Sequence, residues 1–167
     1  MKTKLLTLLF IFTFTIAGLP NFTQAYTSGT KEAEKITPFH NLYSVEFRWD
    51  FGDKDLLIPV SAYRSIPNNS PKNALGFELL SEHNLRVKTG TTTAFVIADL
   101  PIENGYYHLK AGDTATFKLL ALHETASSTQ KLKLQVTALP FMFINKTNTI
   151  HTYLHPQELK GYQTEAI

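Results

Sequence analysis

The chain carries six histidines, and they are its leading candidates for chemistry because it has no cysteine. None of them lies in a helical zinc-protease motif, which needs two histidines four residues apart and a supporting glutamate. His151 and His155 have that spacing, but in a strand it separates them by about 13 Å, too far to share an ion. A neighbouring strand carrying His123 and Glu124 would be needed to complete a metal site. We therefore assign no metal and no cofactor from the histidines.

The acidic residues give one further candidate site. Asp50, Asp53 and Asp55 surround Gly52, and oxygen ligands at alternate positions near a glycine suit Ca²⁺. The bidentate glutamate of a twelve-residue calcium loop is missing, and an ordinary solvated turn has the same composition. The sequence also lacks the Gly-x-Ser-x-Gly turn of serine hydrolases. No catalytic residue is assigned, and these observations weigh against an enzyme while leaving that alternative open.

Aromatic side chains are the remaining candidates for binding. Tyr106 and Tyr107 directly follow the Asn104–Gly105 turn, and on a strand one ring of such a pair should face outward. Exposed rings at the edge of a β-domain can stack on the apolar face of a sugar. Tyr106 and Tyr107 are therefore the predicted ligand contacts, whereas Trp49 is assigned to the core.

Alternating apolar and polar residues indicate the strands that position these side chains. The clearest case is 43–51, where five large apolar residues alternate with four polar ones. Similar alternation occurs in 114–123 and 131–137, and turn signals separate most runs by 8 to 20 residues. This pattern predicts an all-β fold, an antiparallel β-sandwich of Ig-like or jelly-roll type with 7–9 strands and little helix.

The alternation also predicts which side chains are buried. We expect a core face that contains Val45, Phe47, Trp49, Phe117, Leu119, Leu132, Leu134 and Val136. We expect an exposed set that contains Glu46, Arg48, Lys131, Lys133 and Gln135. The β-sandwich domain is predicted to span 36–154, with a flexible N-terminal segment at 26–35 and a C-terminal tail at 155–167.

Two segments resemble each other at an offset of 22 residues. Residues 87–95 and 109–117 both read as an apolar residue, lysine, a small residue and glycine, followed by a threonine-rich start and a phenylalanine. Either the chain contains a duplicated unit or two turns use the same chemistry, with glycine supplying a positive φ. With only two copies and few identical residues, the second interpretation is favoured.

The N-terminus predicts export. Two lysines precede an uncharged, mainly apolar stretch at 5–19, and small side chains near Ala25 suit cleavage there. Fifteen uncharged residues fall short of the roughly 20 that cross a bilayer. Residues 1–25 are therefore predicted to be a signal peptide, the protein to be secreted, and the remaining chain to have no integral membrane segment. Without the two leader lysines the chain has fourteen basic and fourteen acidic residues, which argues against nucleic-acid binding.

These observations favour a secreted, non-catalytic β-sandwich module with a structural, adhesive or binding role. Its partner would be a surface protein, a polysaccharide or a second copy of the chain. The alternative is a secreted enzyme or metal-binding protein that uses histidines and carboxylates on a β scaffold. Convergence of the histidines beside a carboxylate in the folded chain would distinguish the two.

Overall fold

A computed structural model describes residues 25–50, 52, 54–65, 73–144, 149–154, 158–159 and 161–167. The strands of this part of the chain are β1 (Ala25–Thr37), β2 (His40–Asp50), β3 (Asp55–Pro59), β4 (Ala62–Arg64), β5 (Leu75–Ser81), β6 (Thr91–Ala98), β7 (Ile102–Glu103), β8 (Tyr106–Leu109), β9 (Thr114–Glu124), β10 (Leu132–Ile144) and β11 (Thr149–Leu154). Over the same residues, no helix has the length and apolar character needed to cross a bilayer.

The smaller sheet has the strand order β1-β2-β9-β6, and all its neighbours are antiparallel. Its centre is the pair β2–β9, which is in continuous register from His40↔Glu124 to Asp50↔Thr114. Strict alternation in β2 explains this regularity, because a slip of one residue would exchange the apolar and the polar face.

The larger sheet has the order β4-β5-β10-β3-β8-β7. The long strand β10 organises it: its first half pairs with β5, and its second half pairs with β3 and β11. The short strand β4 runs parallel to β5, and the other pairs of this sheet are antiparallel. The two sheets form the predicted antiparallel β-sandwich.

The core between the sheets contains every side chain that the alternation assigned to it, and all eight are fully buried. Within the smaller sheet Phe47 stacks on Phe117 with centroids 5.6 Å apart, and across the two sheets Trp49 meets Phe141 edge-on at 4.7 Å. Of the residues expected outside, Arg48 and Lys131 are exposed, whereas Glu46, Lys133 and Gln135 are half-buried.

Two buried tyrosines link the sheets by hydrogen bonds as well as by packing. The Tyr43 hydroxyl of the smaller sheet donates to the Leu132 carbonyl over 3.3 Å, and the Tyr107 hydroxyl of the larger sheet donates to the Val96 carbonyl over 2.9 Å. Burial raises the pKa of Tyr43 to about 12, although a hydrogen bond from Asn41 opposes the shift. The Tyr43 phenol therefore keeps its proton, and both hydroxyls have a hydrogen-bond partner inside the core.

The N-terminal segment at 26–35 was predicted to be flexible, but it lies within β1 and pairs with β2. It lacks clear alternation because a bulge between Ser28 and Lys31 interrupts its register. Its charged side chains suit an edge strand, where they oppose pairing with other chains. The pairing comes from backbone hydrogen bonds, which the side-chain pattern did not indicate.

The C-terminal tail is also part of the fold where it is described. Leu132 and Ile167 exchange backbone hydrogen bonds of 2.9 and 3.0 Å, so the tail lies along the first half of β10. Leu159 is fully buried and Tyr162 nearly so. The described part contains eleven strands rather than seven to nine. The additional strands include β1, β4 and β7, and the last two, with three and two residues, are too short to show alternation.

Candidate functional site

The two predicted ligand contacts face in opposite directions. Tyr107 is only 4% exposed, its ring meets Phe117 edge-on, and its hydroxyl is bonded to Val96. It is a core residue, so the prediction that it contacts a ligand was wrong. Tyr106 is the ring of the pair that reaches the surface, and it is half-buried. Its role in binding stays a prediction.

The histidines that the structure describes serve local contacts. His108 lies 3.1 Å from Asp55 and 3.5 Å from Glu103. His123 is fully buried, and its Nδ1 lies 2.9 Å from the Thr92 hydroxyl. The two carboxylates meet different ring nitrogens of His108, and in the described part of the chain no group of three metal-capable side chains is arranged to hold an ion. The His151 side chain and His155 lie outside the described residues.

The suggested calcium loop is described only at its end. Residues 51 and 53 and the Asp50 side chain lie outside the described residues. The Asp55 carboxylate accepts a hydrogen bond of 2.9 Å from the Ala111 amide and contacts His108. These two contacts, the amide foremost, lower the pKa of Asp55. Asp55 thus ties the start of β3 to the β8–β9 turn.

The outer face of the smaller sheet is the surface that departs furthest from the expected pattern. Phe95 is 48% exposed, Leu122 43% and Ile97 40%, and Leu42 and Leu120 are half-buried beside them. We call these five side chains the outer patch. Water should favour polar residues at such positions, and the rest of this face has them.

Strand register places the side chains of the outer patch next to one another. Leu42 of β2 pairs with Leu122 of β9, and Leu120 of β9 pairs with Phe95 of β6. Ile97 follows two residues along β6, on the same face as Phe95. Directly paired side chains on one face lie about 5 Å apart. The five side chains therefore form one continuous apolar surface near the β6 edge.

Charged side chains border the outer patch at both ends. Glu34 and Glu124 lie at one end, beside Leu42 and Leu122 in the register. At the other end Lys118 forms a 2.8 Å ion pair with Glu46, followed on β2 by the exposed Arg48.

The ion pair fixes the charge at this end of the patch. Hydrogen bonds from Lys118 and then from Thr30 lower the pKa of Glu46, and the bond to Glu46 raises the pKa of Lys118. Both groups are thus charged at neutral pH. Because they offset each other, the exposed Arg48 is the positive side chain at this end that has no salt-bridge partner among the described residues.

Sequence reasoning did not find the outer patch, although a signal was present. Residues 119–122 read Leu-Leu-Ala-Leu, and this unbroken run assigns Leu120 and Leu122 to the face opposite to Leu119. In an antiparallel sheet with one solvated face, such a run indicates a strand covered on both sides. The sequence does not predict which face of β6 is buried, because both sets of alternate side chains in 91–98 have a composition that suits a core.

Comparison with known proteins adds little to this picture. No family model and no curated protein matches the chain. Among solved structures, a crystal structure described as the yeast GGA1 GAE domain–P21 resembles 83% of this chain over 92% of its own length, with 12% identity and a TM-score of 0.32. A similarity this low supports no conclusion about function. The site is therefore defined by its own geometry.

Proposed function

We propose that this protein is an exported, non-catalytic β-sandwich module that acts by binding, and that the outer patch is its interface with a second copy of the chain. The observation that carries the proposal is the continuous apolar surface of five side chains on a sheet face that faces water. A continuous apolar patch that is bordered by polar residues is typical of a protein interaction site.

The charges around the outer patch favour a second copy as the occupant. A two-fold axis in the interface, perpendicular to the strands, places the two patches face to face with their ends reversed. The Arg48 end of one copy then meets the Glu34 and Glu124 end of the other. Charge complementarity of this kind fixes the orientation of a complex and excludes other partners.

Sedimentation velocity over a range of concentrations tests the interface on the secreted protein. We expect a dimer that Leu122→Lys converts to a monomer, because the interface would have to remove the new charge from water. The matched control is Leu85→Lys. Leu85 is 68% exposed and lies outside the patch, so this variant should still dimerise. A wild-type protein that stays monomeric at every concentration would overturn the interface.

A charge exchange tests the orientation of the two copies. Arg48→Glu should weaken the dimer because it places acid against Glu34 and Glu124, and the double variant with Glu124→Arg should regain most of the loss. Additive losses in the double variant would contradict the proposed two-fold axis.

Export rests on the N-terminal leader and has a separate test. We expect the protein recovered outside the cytoplasm to begin at Tyr26, since the leader ends in small side chains at Ala25. Mass spectrometry of the intact protein measures this directly. Exported protein that still begins at Met1 would refute the proposed cleavage without affecting the interface.

A further inference from the structure

A cavity of about 430 Å³ lies at the edge of the larger sheet, where two segments approach β5 from opposite ends. Strand β4 accompanies β5 as far as Phe77, whose carbonyl accepts a hydrogen bond of 2.7 Å from the Ser65 amide. From the other end comes the segment 85–87, in which the Val87 amide donates to the Leu79 carbonyl over 3.0 Å. The cavity occupies the junction between them, in a different sheet from the outer patch.

The cavity is lined by more positive than negative charge. Arg64, Arg86 and Lys88 contribute to its wall, and Glu78 is the one acid among the described residues that line it. Glu78 is 8% exposed, and its carboxylate lies 2.7 Å from the Arg86 Nε. This ion pair leaves Arg64 and Lys88 without a salt-bridge partner among the described residues. The wall therefore presents two uncompensated positive charges.

Arg64 is held in a setting that favours an added anion. Its Nη2 is buried and has no hydrogen-bond acceptor within the described ranges of the chain. Burial lowers the pKa of Arg64, and the field of Glu78 only partly opposes this. A guanidinium that has lost part of its hydration gains more from a nearby oxyanion than one in bulk water does.

The rest of the wall suits a ligand larger than a bare ion. Leu79 and Val87 line the cavity beside the cations, and both are buried. A volume of about 430 Å³ falls within the range of small-molecule sites. We infer that this cavity binds a small organic anion, with its oxyanion group at Arg64 and Lys88 and its apolar body against Leu79 and Val87.

Titration with three probes tests this inference by isothermal calorimetry and by amide shifts in NMR spectra. Benzoate combines an oxyanion with an apolar ring, inorganic phosphate offers the oxyanion alone, and benzamide offers the ring without the charge. We expect benzoate to bind most tightly, phosphate more weakly and benzamide not at all, with the amide shifts centred on Leu79 and Val87. If phosphate binds better than benzoate, the site takes a phosphate-type oxyanion and the assigned apolar contact is wrong.

Variants show whether the binding belongs to this cavity. Arg64→Gln should weaken benzoate binding about tenfold or more, because it removes a charge-assisted hydrogen bond. Lys88→Gln should weaken it less, and because Lys88 is exposed this variant also tests the site if Arg64→Gln fails to fold. The matched control is Lys131→Gln, an exposed lysine outside the cavity, which should leave the affinity unchanged. Absent benzoate binding, or equal loss in the control, would overturn the inference.

Discussion

Residues 87–95 and 109–117 have nearly the same pattern, yet they place their phenylalanines on opposite faces of the same sheet. Both segments start from a buried apolar residue, and both contain a glycine in the left-handed region, Gly90 at φ 82° and Gly112 at φ 83°. Phe95 then lies 48% exposed on the outer face, whereas Phe117 is fully buried. The similarity therefore reflects a shared need for a left-handed glycine, and the two segments are not equivalent units.

The difference arises from one residue of register between the turn and the strand. After Gly112, the Asp113 amide closes a tight turn by donating to the Lys110 carbonyl over 3.0 Å, and β9 begins at Thr114. After Gly90 the strand begins at once, with Thr91. Because side chains alternate, this shift of one position sends the two phenylalanines to opposite faces.

Packing against the other sheet explains why β6 turns its smaller side chains inward. The Tyr107 hydroxyl reaches across from β8 to the Val96 carbonyl, and its ring meets Phe117. This tyrosine fills the core beside β6, so the strand contributes the smaller side chains of Ala94, Val96 and Ala98 there. Phe95 and Ile97 are left outside and become part of the outer patch.

The largest effect expected from this comparison is a contrast between the two phenylalanines. Phe117→Ala should lower the free energy of unfolding by about 3–5 kcal/mol, because it leaves a cavity in the core. Phe95→Ala should cost less than about 1 kcal/mol when the protein is dilute enough to be monomeric. Urea denaturation measures both, and equal losses would contradict the opposite placement.

The two glycines sharpen the same contrast. A side chain at Gly90 would overlap the Glu124 carbonyl oxygen and the His123 ring, whereas at Gly112 the nearest atom is 4.0 Å away. Gly112→Ala should therefore cost only the strain of a positive φ, about 1 kcal/mol, and Gly90→Ala about 2 kcal/mol or more. Thermal unfolding of the two variants compares them directly. A smaller loss at Gly90 would show that Glu124 and His123 can move aside.

His123, against which Gly90 packs, gives the region around β6 a pH dependence. Burial and then the charge of Arg64 lower the pKa of His123 in the folded chain, so the unfolded chain binds the proton more readily. The contribution of neutral His123 to the free energy of unfolding should be complete above the ordinary histidine pKa of about 6.5 and should fall as the pH drops below it. His123→Gln should reduce this fall. Unfolding midpoints measured across this range test it, and an unchanged pH profile would exclude His123 as the cause.

The smallest effect is expected on the outer face itself. Arg48→Ala should change the free energy of unfolding of the monomer by no more than about 0.5 kcal/mol, because Arg48 is exposed. Its neighbour Phe47 is fully buried, and Phe47→Ala should cost about 3–5 kcal/mol. If Arg48→Ala proved as damaging as Phe47→Ala in urea, the outer face would be covered near Arg48 even in the monomer.

Sequence alone determined what depends on local alternation. The all-β class, the buried face of β2 and the core side chains of β9 and β10 follow from it, because a misplaced register would bury charges such as Glu46 and Arg48. The turn glycines also followed from local chemistry, since few other residues adopt their φ. The signal peptide is a sequence prediction of the same kind, read from composition alone.

Tertiary structure decided what depends on partners distant in sequence. Strand β1 pairs with backbone groups of β2, and the C-terminal tail pairs with those of β10. The side-chain patterns of β1 and of the tail do not predict this pairing. The face of β6 depends on Tyr107, and the cationic cavity exists only because Arg64 and Arg86 are brought to the same stretch of β5. Alternation fixes which residues share a face, but the neighbours that the fold supplies determine which face is covered and where charges meet.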